Sequence, residues 1–162
     1  MTDPVIYGTR VSPFVRKVEA VLRTQGVAYD FENINIMDMP DWFCEISPAR
    51  RIPVLRDRSA GREGVPGTIA DSSAICLYLD RKLDAGLYGE TAFDAGRVAA
   101  LEEFAESELA QLDLVVSSAY ADCWPALAEH TEAMKAHTGF VDNLASCQKM
   151  LGKLVPKKVE LS

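Results

Sequence analysis

A strand, a helix and a second strand fit within the first 36 residues, and this spacing constrains the fold more than any other feature. Val5-Ile6-Tyr7 is a short apolar run ending at Gly8, the pattern of a buried strand. Ser12-Pro13 then opens a helix, since serine is a favoured N-cap and proline suits the first helical position. Phe14, Val18, Val21 and Leu22 share one helical face, and Gly26 stands where a C-cap is needed. Tyr29 to Ile36 is rich in aromatic and β-branched residues and reads as the second strand. Two strands joined through a helix in so short a span form a βαβ unit with a parallel sheet.

After an irregular stretch from Met37 to Arg51, with a short helix expected near Trp42 to Ile46, Ile52-Pro53-Val54-Leu55 reads as a third strand. Its proline has no N–H to give to a ladder and belongs at a strand start or edge. A turn rich in glycine and charge spans Arg58 to Pro66, and Thr68-Ile69-Ala70 returns as a hairpin partner. Asp71-Ser72 caps a helix through Ile75, Leu79 and Leu83, ending by Gly86. The order is βαβ–ββα, a thioredoxin-like arrangement. From Thr91 onward the strand signals stop. Thr91 and Asp94 form a capping box for a helix expected to reach about Tyr120. A second helix is expected from Trp124-Pro125. A third passes through Phe140, Leu144, Cys147, Leu151 and Leu154 and stops at Pro156. The fold class is therefore α/β plus all-α, with domains at 1–85 and 91–162.

Charge excludes some functions. The net charge is −7, and residues 91–162 hold 6 basic against 11 acidic side chains. No nucleic-acid footprint is present; the one basic patch, Arg50-Arg51 with Arg56, Arg58 and Arg62, suits a small anion. Cys44, Cys76, Cys123 and Cys147 fit neither a zinc pattern nor a C-x-x-C motif, and His130 and His137 lack a third ligand. No metal is expected. A reduced cytoplasmic setting is expected. The N-terminus shows no signal-peptide pattern, and no apolar run of about 18 residues offers a membrane span.

Three patterns resemble those of cytosolic glutathione transferases: Tyr7-x4-Ser12-Pro13-Phe14-Val15-Arg16-Lys17-Val18, Ser47-Pro48-x-x-Arg51-Ile52-Pro53-Val54-Leu55, and Asp71-Ser72-x-x-Ile75-x-x-Tyr78-Leu79. The resemblance covers residues 4–88 well and residues 91–162 only as generic helices. It looks closest to the serine-type members of the bacterial, tau and theta kind. It implies an enzyme that binds glutathione as a substrate and activates its thiolate for attack on a small hydrophobic electrophile, as in detoxification. The alternative is a transferase-like glutathione-binding or protein-interaction module with little or no catalysis. Related glutathione-dependent isomerisation, dehalogenation or peroxide reduction belongs to the same class.

Position by position, the resemblance implies that Ser12 donates a hydrogen bond to the glutathione sulfur. A free thiol ionises near pH 8.5, and a hydroxyl donor beside the positive end of a helix favours the thiolate. A helix cap is the competing role for Ser12. Tyr7, at the end of the first strand, is the alternative catalytic residue, against a plain buried aromatic. Phe14 is placed among the glutathione-binding residues. Ile52-Pro53 is expected to be cis, so that the Ile52 backbone meets the cysteinyl part of the tripeptide like an added strand. Arg51 is placed to hold the glycine carboxylate, and Asp71 and Ser72 the γ-glutamyl end. Where Ser47 stands the family more often shows asparagine. Tyr120 and Trp124 are candidates for the electrophile site. A homodimer is expected, and Glu102, Glu103 and Glu106 either face the partner or form a solvated helix face. Family members usually continue beyond this length, so the helical domain looks cut short.

Overall fold

A computed structural model of the chain describes residues 3–105, Glu129 and Ala133. The first strand, β1 (Val5–Gly8), is buried along its whole length. The first helix, α1 (Pro13–Thr24), begins at the expected proline and is capped by Ser12. It ends through Gln25, after which Gly26 takes φ 65° and Val27 N–H donates to the Leu22 carbonyl at 2.9 Å. The left-handed residue at the helix exit is glycine because it has no Cβ to strain. Strand β2 (Asp30–Asn33) runs parallel to β1, with Val5 opposite Asp30 and Gly8 opposite Asn33. It is shorter than the apolar and aromatic stretch around it, because β2 is a sheet edge and loses its partner once β1 ends at Gly8.

A short helix α2 (Asp41–Ile46) follows, then β3 (Val54–Arg56), two turns of 3-10 helix, and β4 (Thr68–Ala70). Strands β1 and β3 are antiparallel, as are β3 and β4, giving the sheet order β2-β1-β3-β4. Helix α3 (Ser72–Leu83) packs beside α1 on one face of the sheet. Helix α4 (Ala92–Phe104) begins at the expected box: Asp94 N–H donates to Thr91 Oγ1 at 3.1 Å, and the Asp94 carboxylate accepts from Thr91. This four-stranded mixed sheet with its βαβ–ββα order is the thioredoxin-like fold. The helices expected beyond residue 105, and with them Tyr120, Trp124, Glu106, Cys123, Cys147, His130 and His137, lie outside the described residues.

The core is two-sided. Between the sheet and α1/α3 lie Ile6, Val15, Val18, Leu22, Leu55, Ile75 and Leu79; on the other face Val5, Tyr7, Ile34, Phe43 and Val54 pack together. The two clusters follow the strand alternation of β1 and β3: Ile6 and Leu55 point one way, Val5, Tyr7 and Val54 the other. Gly8 sits where the sheet and α1 come closest. A Cβ at this position would lie 2.6 Å from Val15 Cγ2 and 3.6 Å from Ile52 Cβ. Val15 is fully buried and β-branched, so it cannot swing aside. Gly8→Ala is therefore expected to destabilise the fold by about 1–3 kcal/mol, read as a lower urea midpoint at unchanged m-value.

Candidate functional site

A cleft of roughly 990 Å³ opens where three connections meet. The β1–α1 connection contributes Thr9, Val11 and Ser12, the segment before β3 contributes Ser47 and Arg50 to Ile52, and the β4–α3 junction contributes Asp71 and Ser72. Phe14, Ile36 and Met39 supply apolar wall, and Glu103 of α4 closes one side. Six residues picked from the sequence thus share one cleft: Ser12, Phe14, Arg51, Ile52, Asp71 and Ser72. Pro53 lies just behind it, fully buried, and the Ile52-Pro53 peptide bond is cis. Tyr7 is not among the lining residues. It is buried on the other face of the sheet, in edge-on contact with Trp42 at 5.4 Å and Phe43 at 6.5 Å.

Local geometry explains each placement. Ser12 is half-buried, and its Oγ accepts from Val15 N–H at 3.5 Å. This long cap bond uses an oxygen lone pair and leaves the O–H as a donor. Ser47, almost fully buried, closes its loop with a reciprocal pair: its hydroxyl donates to the Arg51 carbonyl at 2.8 Å and accepts from Arg51 N–H at 3.0 Å. Arg50, between them, sits in the left-handed region at φ 52°, with its N–H donating to the Ser47 carbonyl at 2.8 Å. The loop therefore presents Arg50 and Arg51 to the cleft, both exposed. Asp71 caps α3, accepting from Ala74 N–H at 3.1 Å, and does so at φ 86°. A non-glycine residue in that region carries strain of order 1–3 kcal/mol, and here the strained residue faces the cleft.

The electrostatics of the cleft favour an anion. The N-terminal ends of α1 and α3 both open on it, and each helix start carries a partial positive charge. Arg50 and Arg51 also line it and bring positive charge, while Asp71 and Glu103 add negative charge. A ligand with carboxylates at both ends and an ammonium group near one matches this distribution. Of the basic patch expected from the sequence, Arg50 and Arg51 serve the cleft, but Arg56 pairs with Glu63 and Arg58 with Asp30 at 2.7 Å.

Further polar groups, among them Lys17, Ser73 and Tyr88, which the sequence did not single out, tie the helices beside the cleft together. Lys17 of α1 donates to Ser73 Oγ at 3.1 Å and to Glu102 at 2.7 Å, and Tyr88 donates to the other oxygen of Glu102 at 2.8 Å. Burial, with the Glu102 carboxylate beside it, pushes the Tyr88 hydroxyl far above its ordinary value, so it stays a donor. Glu102, expected on a partner-facing or solvated helix face, instead turns inward and links α4 to α1 and to the connection that precedes α4. Glu103 accepts from Ser73 at 3.4 Å. Only an i, i+4-type pattern is visible in a sequence; contacts 56 and 85 residues apart, as at Lys17, leave no such trace.

A family model for the glutathione S-transferase N-terminal domain matches residues 6–85. The matched stretch is just under half of the chain. The chain is 34% identical over 77 residues to pyrimidodiazepine synthase of Drosophila melanogaster, covering 48% of this chain and 30% of that protein. It is 33% identical over 75 residues to glutathione S-transferase omega-1 of Mus musculus, covering 46% and 29%. The match thus spans about 30% of the length of these curated relatives. A crystal structure of a glutathione transferase homologue from Drosophila mojavensis with bound glutathione superposes with a TM-score of 0.75 at 19% identity, over 99% of this chain and 100% of that one. At that identity the likeness concerns the fold. These curated relatives include an omega-class transferase, a class other than the bacterial, tau and theta kind expected from the motifs. Among the described residues no helix is long and apolar enough to cross a membrane, and no group of three or more His, Cys, Asp or Glu is arranged to hold a metal.

Proposed function

We propose that the cleft binds glutathione and that the chain is a serine-type glutathione transferase acting on a hydrophobic electrophile. The observation that carries this reading is the convergence of Ser12, Arg51, Ile52, Asp71 and Ser72, from three separate segments, on one cleft. In this reading the γ-glutamyl carboxylate sits at the α3 N-terminus beside Ser72, with its ammonium near Asp71. The cysteinyl backbone meets Ile52, and the glycine carboxylate meets Arg51. The thiol lies at the α1 N-terminus. Its proton leaves to solvent, the Ser12 O–H donates to the sulfur anion, and the anion attacks an electrophilic carbon. The carbon–sulfur bond forms as the leaving group, halide for an aryl halide, departs with its electron pair. Residues 1–85 hold glutathione and residues 91–162 supply the electrophile site, with Tyr120 and Trp124 as candidates. Homodimeric assembly and a cytoplasmic setting belong to the same reading.

The second reading is a glutathione-binding module without conjugation chemistry, and the observation on its side is that Ser12 already serves as a helix cap. The two roles are compatible because they use opposite sides of the hydroxyl. The test is calorimetric titration with glutathione, followed by turnover of 1-chloro-2,4-dinitrobenzene. Binding with turnover is expected; binding without turnover selects the module, and no binding at millimolar glutathione rejects both. Arg51→Ala should weaken glutathione binding about fivefold, since an exposed charged contact contributes about 1 kcal/mol. Glutathione esterified at glycine should bind the two proteins equally.

A further inference from the structure

The connection from β1 to α1 is four residues long, Thr9 to Ser12, and Arg10 ties it to the body of the domain. Arg10 Nε donates to Glu19 Oε1 at 3.0 Å, and the Arg10 guanidinium lies 4.1 Å over the Phe31 ring of β2. Glu19, two turns into α1, has a side chain with 0% exposure although that of Arg10 is 41% exposed. The same Glu19 oxygen accepts from Tyr29 OH at 2.8 Å, and Arg23 Nε donates to that hydroxyl at 3.1 Å. A buried carboxylate is an expensive choice for stability alone, since an apolar pair of similar volume usually does as well. What the ion pair adds is direction: a planar guanidinium both bonded to a carboxylate and stacked on a ring has one orientation.

That direction matters because, among the described residues, only a long bond holds the Ser12 hydroxyl. Its cap bond to Val15 is 3.5 Å long, and the connection's own backbone bond, Ser12 N–H to the Thr9 carbonyl at 3.0 Å, only closes a turn within the loop. The loop ends are fixed, by the tight Gly8–Val15 approach on one side and Pro13 on the other. Arg10 stands between them.

We propose that Arg10 and Glu19 are positioning residues for Ser12: their pair, closed by Tyr29 and Phe31, sets where the hydroxyl points in the cleft. The proposal rests on the reading of Ser12 as the donor to a glutathione sulfur. The loop is held against α1 and β2 together, so the donor keeps its place when the cleft is empty.

The test uses the full chain with Arg10→Met and Glu19→Leu combined. Both charges go together, so the local net charge is unchanged and no carboxylate is left buried alone. Methionine can still lie on Phe31. The readout is the ultraviolet titration of the bound glutathione thiolate. The midpoint is expected to rise by about one unit toward the free-thiol value near 8.5. The kcat should fall about 5- to 10-fold, with the glutathione KM within about twofold. In a Ser12→Ala background the same double change should add nothing, because it acts through Ser12. Equal midpoints in wild type and variant, or a further loss in the Ser12→Ala background, overturn the positioning role alone. A wild-type complex in which glutathione titrates as a free thiol removes the Ser12 reading and this inference with it. Arg10→Lys, which keeps the charge without the fork or the stack, should recover less than half of the effect; full recovery by lysine would also overturn it.

Discussion

Ser12→Ala is expected to lower the kcat for conjugation of an aryl halide about 10- to 150-fold while glutathione still binds within about threefold of wild type. A hydrogen bond to a charged acceptor contributes about 1.5–3 kcal/mol, and each 1.4 kcal/mol is a factor of ten. The sulfur is charged only in the thiolate, so the donor stabilises that form and its loss shows in the thiolate fraction. The bound thiol should then titrate near 8.5, the value of a free thiol. The tripeptide's carboxylates and ammonium meet other parts of the cleft, which is why affinity is spared. Ser12 is also the cap of α1, so alanine carries a separate stability cost of about 1 kcal/mol. Ser12→Gly separates the two effects: glycine costs a cap only a few tenths of a kcal/mol, yet it has no donor. It should be nearly as stable as wild type and as inactive as alanine. A glycine variant with wild-type turnover would remove Ser12 from the chemistry.

Asp57→Ala is expected to cost about 2–3 kcal/mol of folding stability, the largest stability effect predicted here. Asp57 follows β3 and is buried. Its Oδ1 accepts from Ser59 N–H at 2.8 Å and Ser59 Oγ at 2.6 Å, and its Oδ2 accepts from Tyr78 OH and Lys82 Nζ. One carboxylate thus staples the turn after β3 to the second half of α3. The cost stops at the upper end of this range because the Lys82 side chain, 35% exposed, can rehydrate. Burial opposes the Asp57 anion, but the Lys82 ammonium and the Ser59 and Tyr78 donors outweigh it and hold the carboxyl well below the usual carboxylate range. A lowered folded-state value means that the unfolded chain binds the proton more readily. Stability from this group is therefore complete above about pH 5, since an unfolded aspartate titrates near 3.9. It is lost as pH falls from there toward the folded value. Urea titrations from pH 7 to pH 2.5 should show wild type losing its advantage over Asp57→Asn as the solution becomes acid. A gap that stays constant across that range would contradict the role given to Asp57.

Much of the cleft was legible because it sits at helix starts. Ser12-Pro13, Asp71-Ser72 and Thr91 with Asp94 announce α1, α3 and α4 through capping chemistry confined to four residues, and all three helices begin there. The strands were located by their apolar runs but not bounded by them. Tyr29 to Ile36 reads as one strand, whereas only Asp30–Asn33 pair with β1; a strand's length is decided by its neighbour. The basic patch divided for the same reason, with Arg50 and Arg51 lining the cleft and two of its other members engaged elsewhere. Arg56 and Arg58 look like companions of Arg50 and Arg51 in sequence, yet Glu63 and Asp30 neutralise them.

The local chemistry of the chain by itself determined the βαβ–ββα order, the helix starts and the candidate residues Ser12, Arg51, Ile52, Asp71 and Ser72. Each depends on residues a few positions apart, where backbone preference and side-chain reach act directly. Only the tertiary structure decided that these residues share one cleft, that Tyr7 faces the other side of the sheet, and that Glu19 and Asp57 are buried anions. The partners of those anions come from other elements: Arg10 and Tyr29 for Glu19, Tyr78 and Lys82 for Asp57. Burying a charge is tolerable only when the folded chain brings its partners to it, and such meetings have no periodicity along the sequence.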